Sequence, residues 1–189
     1  MEIENLLRVQ TRQELRAWLE ENSTTRRCCW VLVTVTEKPN ALRYLDAVEE
    51  ALCFGWIDGI MKKIAENELA QRLSPRKKSS NWTDLNKERV RRLEKLGLMK
   101  EEGLKILPDM RPESFMVDKE IEDRLKKDKQ VYENFLKFPE LYRRIRIDNI
   151  QGYKKDAEIF NKRLDKFIEK TRDNKMYGQW NDNGRLIDY

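Results

Sequence analysis

The run Cys28-Cys29-Trp30-Val31-Leu32-Val33-Thr34-Val35-Thr36 constrains this chain more than any other stretch. It is continuous, β-branched and aromatic, the pattern of a strand covered on both faces. Lys38-Pro39-Asn40 breaks it. Leu42, Leu45, Val48 and Leu52 then keep helical spacing from Ala41 to Cys53, and Gly55 stands where a left-handed helix terminator is expected. Trp56 to Ala65 reads as a strand, with Leu69 to Leu73 as its antiparallel partner across Glu66-Asn67. Upstream, Thr11-Arg12-Gln13-Glu14 fits a capping box, and Leu15, Trp18 and Leu19 share one face of a short helix that ends near Glu21-Asn22. The implied fold is α+β: a small mixed or antiparallel sheet of about three or more strands with helices on one side, followed by an all-helical C-terminal module.

Asn81-Trp82-Thr83 leads into a helix from Asp84 to Leu96, capped by Thr83 or Asp84 and ended by Gly97. A short helix over Glu101–Leu107 stops at Pro108, and residues 109–117 read as a linker. Helices are then expected over Lys119–Lys126, Lys129–Lys137, Glu140–Ile150 and Asp156–Thr171, with Phe135, Phe138, Leu141, Tyr142, Ile145, Ile159, Leu164, Phe167 and Ile168 as their core. Residues 172–189 lack periodicity and read as a loose polar tail. The expected division is therefore 1–108, linker 109–117, helical module 118–171 and tail 172–189.

Hydrophobic and charged residues each make up 39% of the chain, which permits one sizeable core or two small ones beneath a very polar surface. The 39 basic residues are interleaved with 34 acidic ones, leaving a net charge of +5. Such mixing describes solvated helical surfaces better than a general affinity for nucleic acid or anionic lipid. No run approaches the length of a membrane span, and Met1–Asn5 lacks the features of a secretory signal, so a cytoplasmic protein is expected. Cys28 and Cys29 are adjacent and Cys53 is distant, without metal-ligand spacing; buried reduced thiols are the expectation. There is no histidine, which removes serine triads, cysteine–histidine dyads and most zinc hydrolase designs. No metal and no cofactor is expected.

Trp56, Asp58, Arg72, Ser74, Arg76, Ser80, Asn81 and Trp82 form the candidate ligand-binding constellation. Hairpin alternation puts Trp56 and Asp58 on one face near the open end, and Arg72 and Ser74 near the same end. An Asp–Arg pair flanked by indoles, hydroxyls and an amide suits a small anionic or polar ligand, because arginine offers bidentate geometry to carboxylate or phosphate. The same residues also suit pure architecture: tryptophans in the core, an ion pair locking the hairpin, and Ser80-Asn81 turning into the next helix. From Arg72 to Lys95 there are nine Lys/Arg against three Asp/Glu, a local surplus of +6. That could serve nucleic-acid phosphates, yet Arg89, Arg91, Arg92 and Lys95 also fit the outer face of an amphipathic helix. For catalysis, Asp46, Glu49, Glu50 and Asp58 supply carboxylates, while Cys53 reads as a buried spacer.

The segments Glu50–Gly59, Gln71–Arg76 and Ser80-Asn81-Trp82 resemble the YdeI/OmpD-associated, or bacteriocin-protection, family of bacteria. Leu15–Leu19, Tyr44–Ala51, Asn86–Arg89, Gly97-Leu98-Met99, Glu102-Gly103-Leu104, Tyr132–Leu136 and Pro139–Arg144 extend the resemblance over residues 10 to 170. Gly152–Glu158 departs from the family's arginine- and threonine-rich segment. The resemblance implies a non-enzymatic stress or antimicrobial-peptide tolerance protein, acting through an unknown protein partner or a small anionic ligand near Trp56, Arg76 and Trp82. An enzyme acting on a small anionic substrate and a nucleic-acid-binding protein are the alternatives.

Overall fold

Among the described residues four strands, β1 (Leu6–Leu7), β2 (Cys29–Val33), β3 (Trp56–Ala65) and β4 (Glu68–Pro75), form one mixed sheet in the order β1-β2-β4-β3. The computed structural model describes residues 2–36, 38–66 and 68–189; Asn67 of the expected Glu66-Asn67 turn lies outside the described residues. β2 sits inside the sheet, parallel to β1 and antiparallel to β4, which pairs antiparallel with β3. Cys29, Trp30 and Val31 are at most 1% exposed, as a doubly covered strand requires. The strand is shorter than the run that announced it. Thr34 leaves the ladder to bridge Arg43, donating its amide to Leu42 O and accepting from Tyr44 N–H.

The sheet carries α2 (Tyr44–Cys53), with α1 (Arg12–Asn22) packed on α2. α1 starts at the expected capping box: Glu14 N–H donates to Thr11 Oγ1 at 3.2 Å and Thr11 N–H to Glu14 Oε2 at 3.3 Å. α2 begins later than its apolar spacing suggests, because Leu42 and Arg43 are held in the bridge with Thr34. Gly55 ends α2 at φ +73, and a Cβ there would meet Glu102 O at 2.8 Å. Gly103, in α4 (Glu101–Leu104), lies against the same helix end, where an added Cβ would stand 2.4 Å from Cys53 O.

Two compact units emerge, one of residues 1–81 with 89–108, the other of 82–88 with 109–189. The division falls inside α3 (Asp84–Lys95), whose N-terminus is capped by Thr83 Oγ1 accepting from Asn86 N–H at 3.2 Å. In the second unit, α5 (Lys119–Lys126), α6 (Lys129–Lys137), α7 (Glu140–Gln151) and α8 (Ala157–Arg172) pack around Ile121, Val131, Phe135, Tyr142, Ile147, Leu164 and Phe167. Asp118, Asp128 and Asp156 cap α5, α6 and α8 with their carboxylates. Phe160, 3% exposed, fills the position that helical spacing assigned to Ile159.

Residues 172–189, read as a loose tail, are placed against this module. Trp180 meets Tyr142 edge-on with ring centroids 5.5 Å apart, Leu186 is buried, and Tyr189 Oη–H donates to Glu88 Oε1 at 2.8 Å. Two large apolar groups in a polar stretch were enough to anchor it, though they carry no period. No helix among the described residues is long and apolar enough to cross a membrane.

Candidate functional site

The Ser74–Asn81 loop leaves the open end of the β3–β4 hairpin, and one arginine closes it. Arg76 donates its amide to Gly55 O at 2.9 Å, extending the pairing past Trp56 and Pro75, and its Nη1 donates to the Asn81 carbonyl at 2.8 Å. The side chain therefore ties the start of the loop to its end while only 6% of the residue stays exposed. Burial pulls the Arg76 pKa down, opposed by the Asp58 carboxylate. A turn sits between the tied ends. Lys77 N–H donates to Ser80 Oγ at 3.1 Å and Ser80 N–H to Lys77 O at 2.9 Å, which leaves Lys77, Lys78 and Ser79 exposed at the tip.

Trp56 is core, 1% exposed, with its indole N–H donated to Ser23 O at 3.1 Å and its ring edge-on to Trp18 at 6.0 Å. Asp58 accepts from Tyr44 Oη–H at 2.7 Å. It pairs across the hairpin with Leu73, so alternation sets it on the face opposite Arg72 and Ser74. Those two instead bond each other, Arg72 Nη1 to Ser74 Oγ at 3.1 Å. The structure thus groups Trp56, Asp58 and Arg76, groups Arg72 with Ser74 separately, and joins Ser80 to Lys77. Asn81 is exposed and contributes its carbonyl; Trp82 is half-buried and falls in the second unit.

A buried network of ion pairs in the first unit was not assembled from the sequence. Glu49 and Glu50 are 0% and 1% exposed, so they do not form an exposed acidic patch on α2. Glu49 receives Arg12 Nη1 at 2.6 Å and Arg92 Nη1 at 2.9 Å; Glu50 receives Arg16 Nη1 at 2.9 Å and Arg12 Nε. Arg16 Nη2 also donates to Leu98 O at 2.8 Å. For Arg12, burial lowers the pKa, but Glu50 and Glu49 outweigh it and the guanidinium ends raised. Arg92 is thus turned inward, and Arg89 is only 8% exposed, so this part of α3 is not the solvated basic face its composition suggests. The available signal was indirect: Ala47, Val48, Ala51 and Leu52 make α2 apolar around its acids, and Arg12 and Arg16 stand one helical turn apart on α1.

These contacts also bear on catalysis. Glu49 and Glu50 hold arginines instead of standing ready to move protons, and burial pushes the Cys53 thiol up to about 12, far from thiolate chemistry at neutral pH. Among the described residues no cluster of three or more Cys, Asp or Glu could hold a metal ion.

Residues 7–106 match the family described as a domain of unknown function (DUF8412). Residues 114–174 match the family described as bacteriocin-protection, YdeI or OmpD-associated. The resemblance read from the sequence is thus shown for the helical module, while the sheet-bearing half, which carried most of its motifs, matches a different family. No curated protein and no solved structure matches the chain. The chain accordingly belongs to the DUF8412 family through residues 7–106, more than half its length, while its residues 114–174 match the YdeI/OmpD-associated bacteriocin-protection family.

Proposed function

We propose that this is a non-enzymatic stress- or bacteriocin-tolerance protein that works by binding an anionic group, on a small ligand or on a partner protein, at the Ser74–Asn81 loop. The observation that carries the reading is the buried Arg76 tie. A loop closed by an interior guanidinium presents Lys77 and Lys78 in a fixed geometry, so less conformational entropy is lost on binding. The rest of the notional site has a different role: Trp56, Asp58 and Tyr44 hold the platform from which the loop projects.

A protein of net charge +5 repels cationic bacteriocins at long range, and Glu49 and Glu50 offer them no exposed acidic patch. The protective effect therefore belongs inside the cell, through a ligand or partner instead of through capture of the peptide. Nucleic acid is the weaker partner, because Arg76, Arg89 and Arg92 of the basic stretch are turned to the interior or to Glu49. Titration with citrate, inorganic phosphate and an oligoglutamate peptide at low and high salt tests the proposal. The double variant Lys77→Glu/Lys78→Glu is expected to weaken the anion that binds by about tenfold or more. Unchanged binding in that variant would remove the loop from the account. Salt-dependent retention on DNA or RNA would favour the nucleic-acid reading, and turnover lost on Asp58→Asn would favour an enzyme.

A further inference from the structure

A second site lies in the helical unit and does not depend on the loop. A cavity of about 250 Å³ opens where the segment after the 3-10 turn Pro112–Ser114 crosses α6 and α7. Residues 109–117 were expected to be a linker; here Phe115 and Val117 pack against the module core and form one wall, with Phe135 and Ile147 making the other. Two cations enter this apolar space from consecutive positions of α7, and they differ. Arg144 is neutralised by Asp84 at 2.5 Å and Glu88 at 3.1 Å, with Glu140 Oε1 3.3 Å from its Nε. Arg143 has no carboxylate in ion-pair range among the described residues. Its guanidinium lies 5.5 Å from the Phe135 ring centroid; its Nε, like that of Arg144, is shielded from solvent without a hydrogen-bond acceptor.

We propose that this cavity binds a small monocarboxylic acid with an aromatic or short aliphatic body. A guanidinium without a carboxylate partner beside an apolar space is costly, and a ligand carboxylate supplies the missing charge. The apolar walls take the ligand's body, which inorganic anions lack. The volume is below the roughly 300–1,000 Å³ of sites for drug-sized ligands, which limits the guest to one ring or a short chain. Glu113 and Glu140 also line the cavity, so a multiply charged anion such as phosphate would meet repulsion that a single carboxylate turned towards Arg143 avoids.

The test is titration of the full chain with benzoate, phenylacetate and octanoate, set against benzamide and inorganic phosphate, by calorimetry and methyl NMR. At least one carboxylate is expected to bind and to shift the Val117 and Ile147 methyl signals, with benzamide and phosphate weaker by about tenfold or more. Arg143→Gln is expected to lose a similar factor, and the Val117 and Ile147 methyl shifts assign the binding to this cavity. The proposal is overturned if none of the three carboxylates binds, if benzamide binds equally well, or if the methyl signals stay still. It is also overturned if folded Arg143→Gln keeps wild-type affinity. Should that variant fail to fold, the wild-type comparison of carboxylate with amide decides.

Discussion

At the scale of single residues, charge placement departs most from what composition suggests. Glu49 joins Arg12 and Arg92 at a position with no solvent access. Removing one member of such a network strands the others, so Glu49→Ala is expected to cost about 3–5 kcal/mol in chemical denaturation. A loss below about 1 kcal/mol would mean that water already solvates these arginines. The cysteines give a chemical readout. Burial pushes Cys29 and Cys53 up to about 12, while Cys28 is half-buried. Native protein treated with iodoacetamide at pH 8 is expected to label at Cys28 first, with Cys29 and Cys53 reacting only on unfolding. Arg92 shows why such networks resist reading from sequence: a long cation on a helix flank is equally compatible with water and with a buried acid some forty residues earlier.

At the scale of elements, the hairpin and most helices were legible because apolar period and caps agreed. β1 was not, since two residues carry no period. The facing of Asp58 was hidden for a sharper reason. The mid-hairpin register pairs Met61 with Gln71 and, continued, would set Asp58 opposite Ser74; the irregularity between Asp58 and Met61 moves its partner to Leu73 and turns it to the other face. The contact between α4 and the end of α2 predicts that Gly103→Ala, whose Cβ would stand 2.4 Å from Cys53 O, costs about 1–3 kcal/mol. In the second unit, Asp148 accepts the Asp84 amide at 3.0 Å, and burial, with the Asp84 carboxylate adding to it, raises its pKa against the pull of that hydrogen bond. A raised carboxyl pKa binds the proton more tightly in the folded state. Its contribution is therefore fully present below the ordinary aspartate pKa and is lost as pH rises through the folded value. Asp148→Asn keeps an acceptor and sheds the charge, so its melting temperature is expected to exceed the wild type's at pH 7, with the advantage vanishing near pH 3. A lower melting temperature at pH 7 would show that the carboxylate is stabilising there.

At the scale of the molecule, two compact units correspond to two family matches, with the sheet and its loop in one and the residues that match the bacteriocin-protection family in the other. The sequence indicated a helical module but not that Phe115 and Val117 line its cavity or that Trp180 and Leu186 fold against it, because neither stretch has a helical or strand period. Of the candidate constellation, Trp56 is core while Trp82 is half-buried, and the lysines that reach solvent entered the sequence reading only as charge. The proposed protective binding event is carried by Lys77 and Lys78, presented by the Arg76 tie. The most direct measurement is survival of bacterial cells under bacteriocin challenge when they express the wild type, Lys77→Glu/Lys78→Glu or empty vector. A survival gain is expected with the wild type and is expected to disappear in the double variant at equal protein level and unchanged melting temperature. Equal protection by both proteins, or none by the wild type, would contradict the proposal.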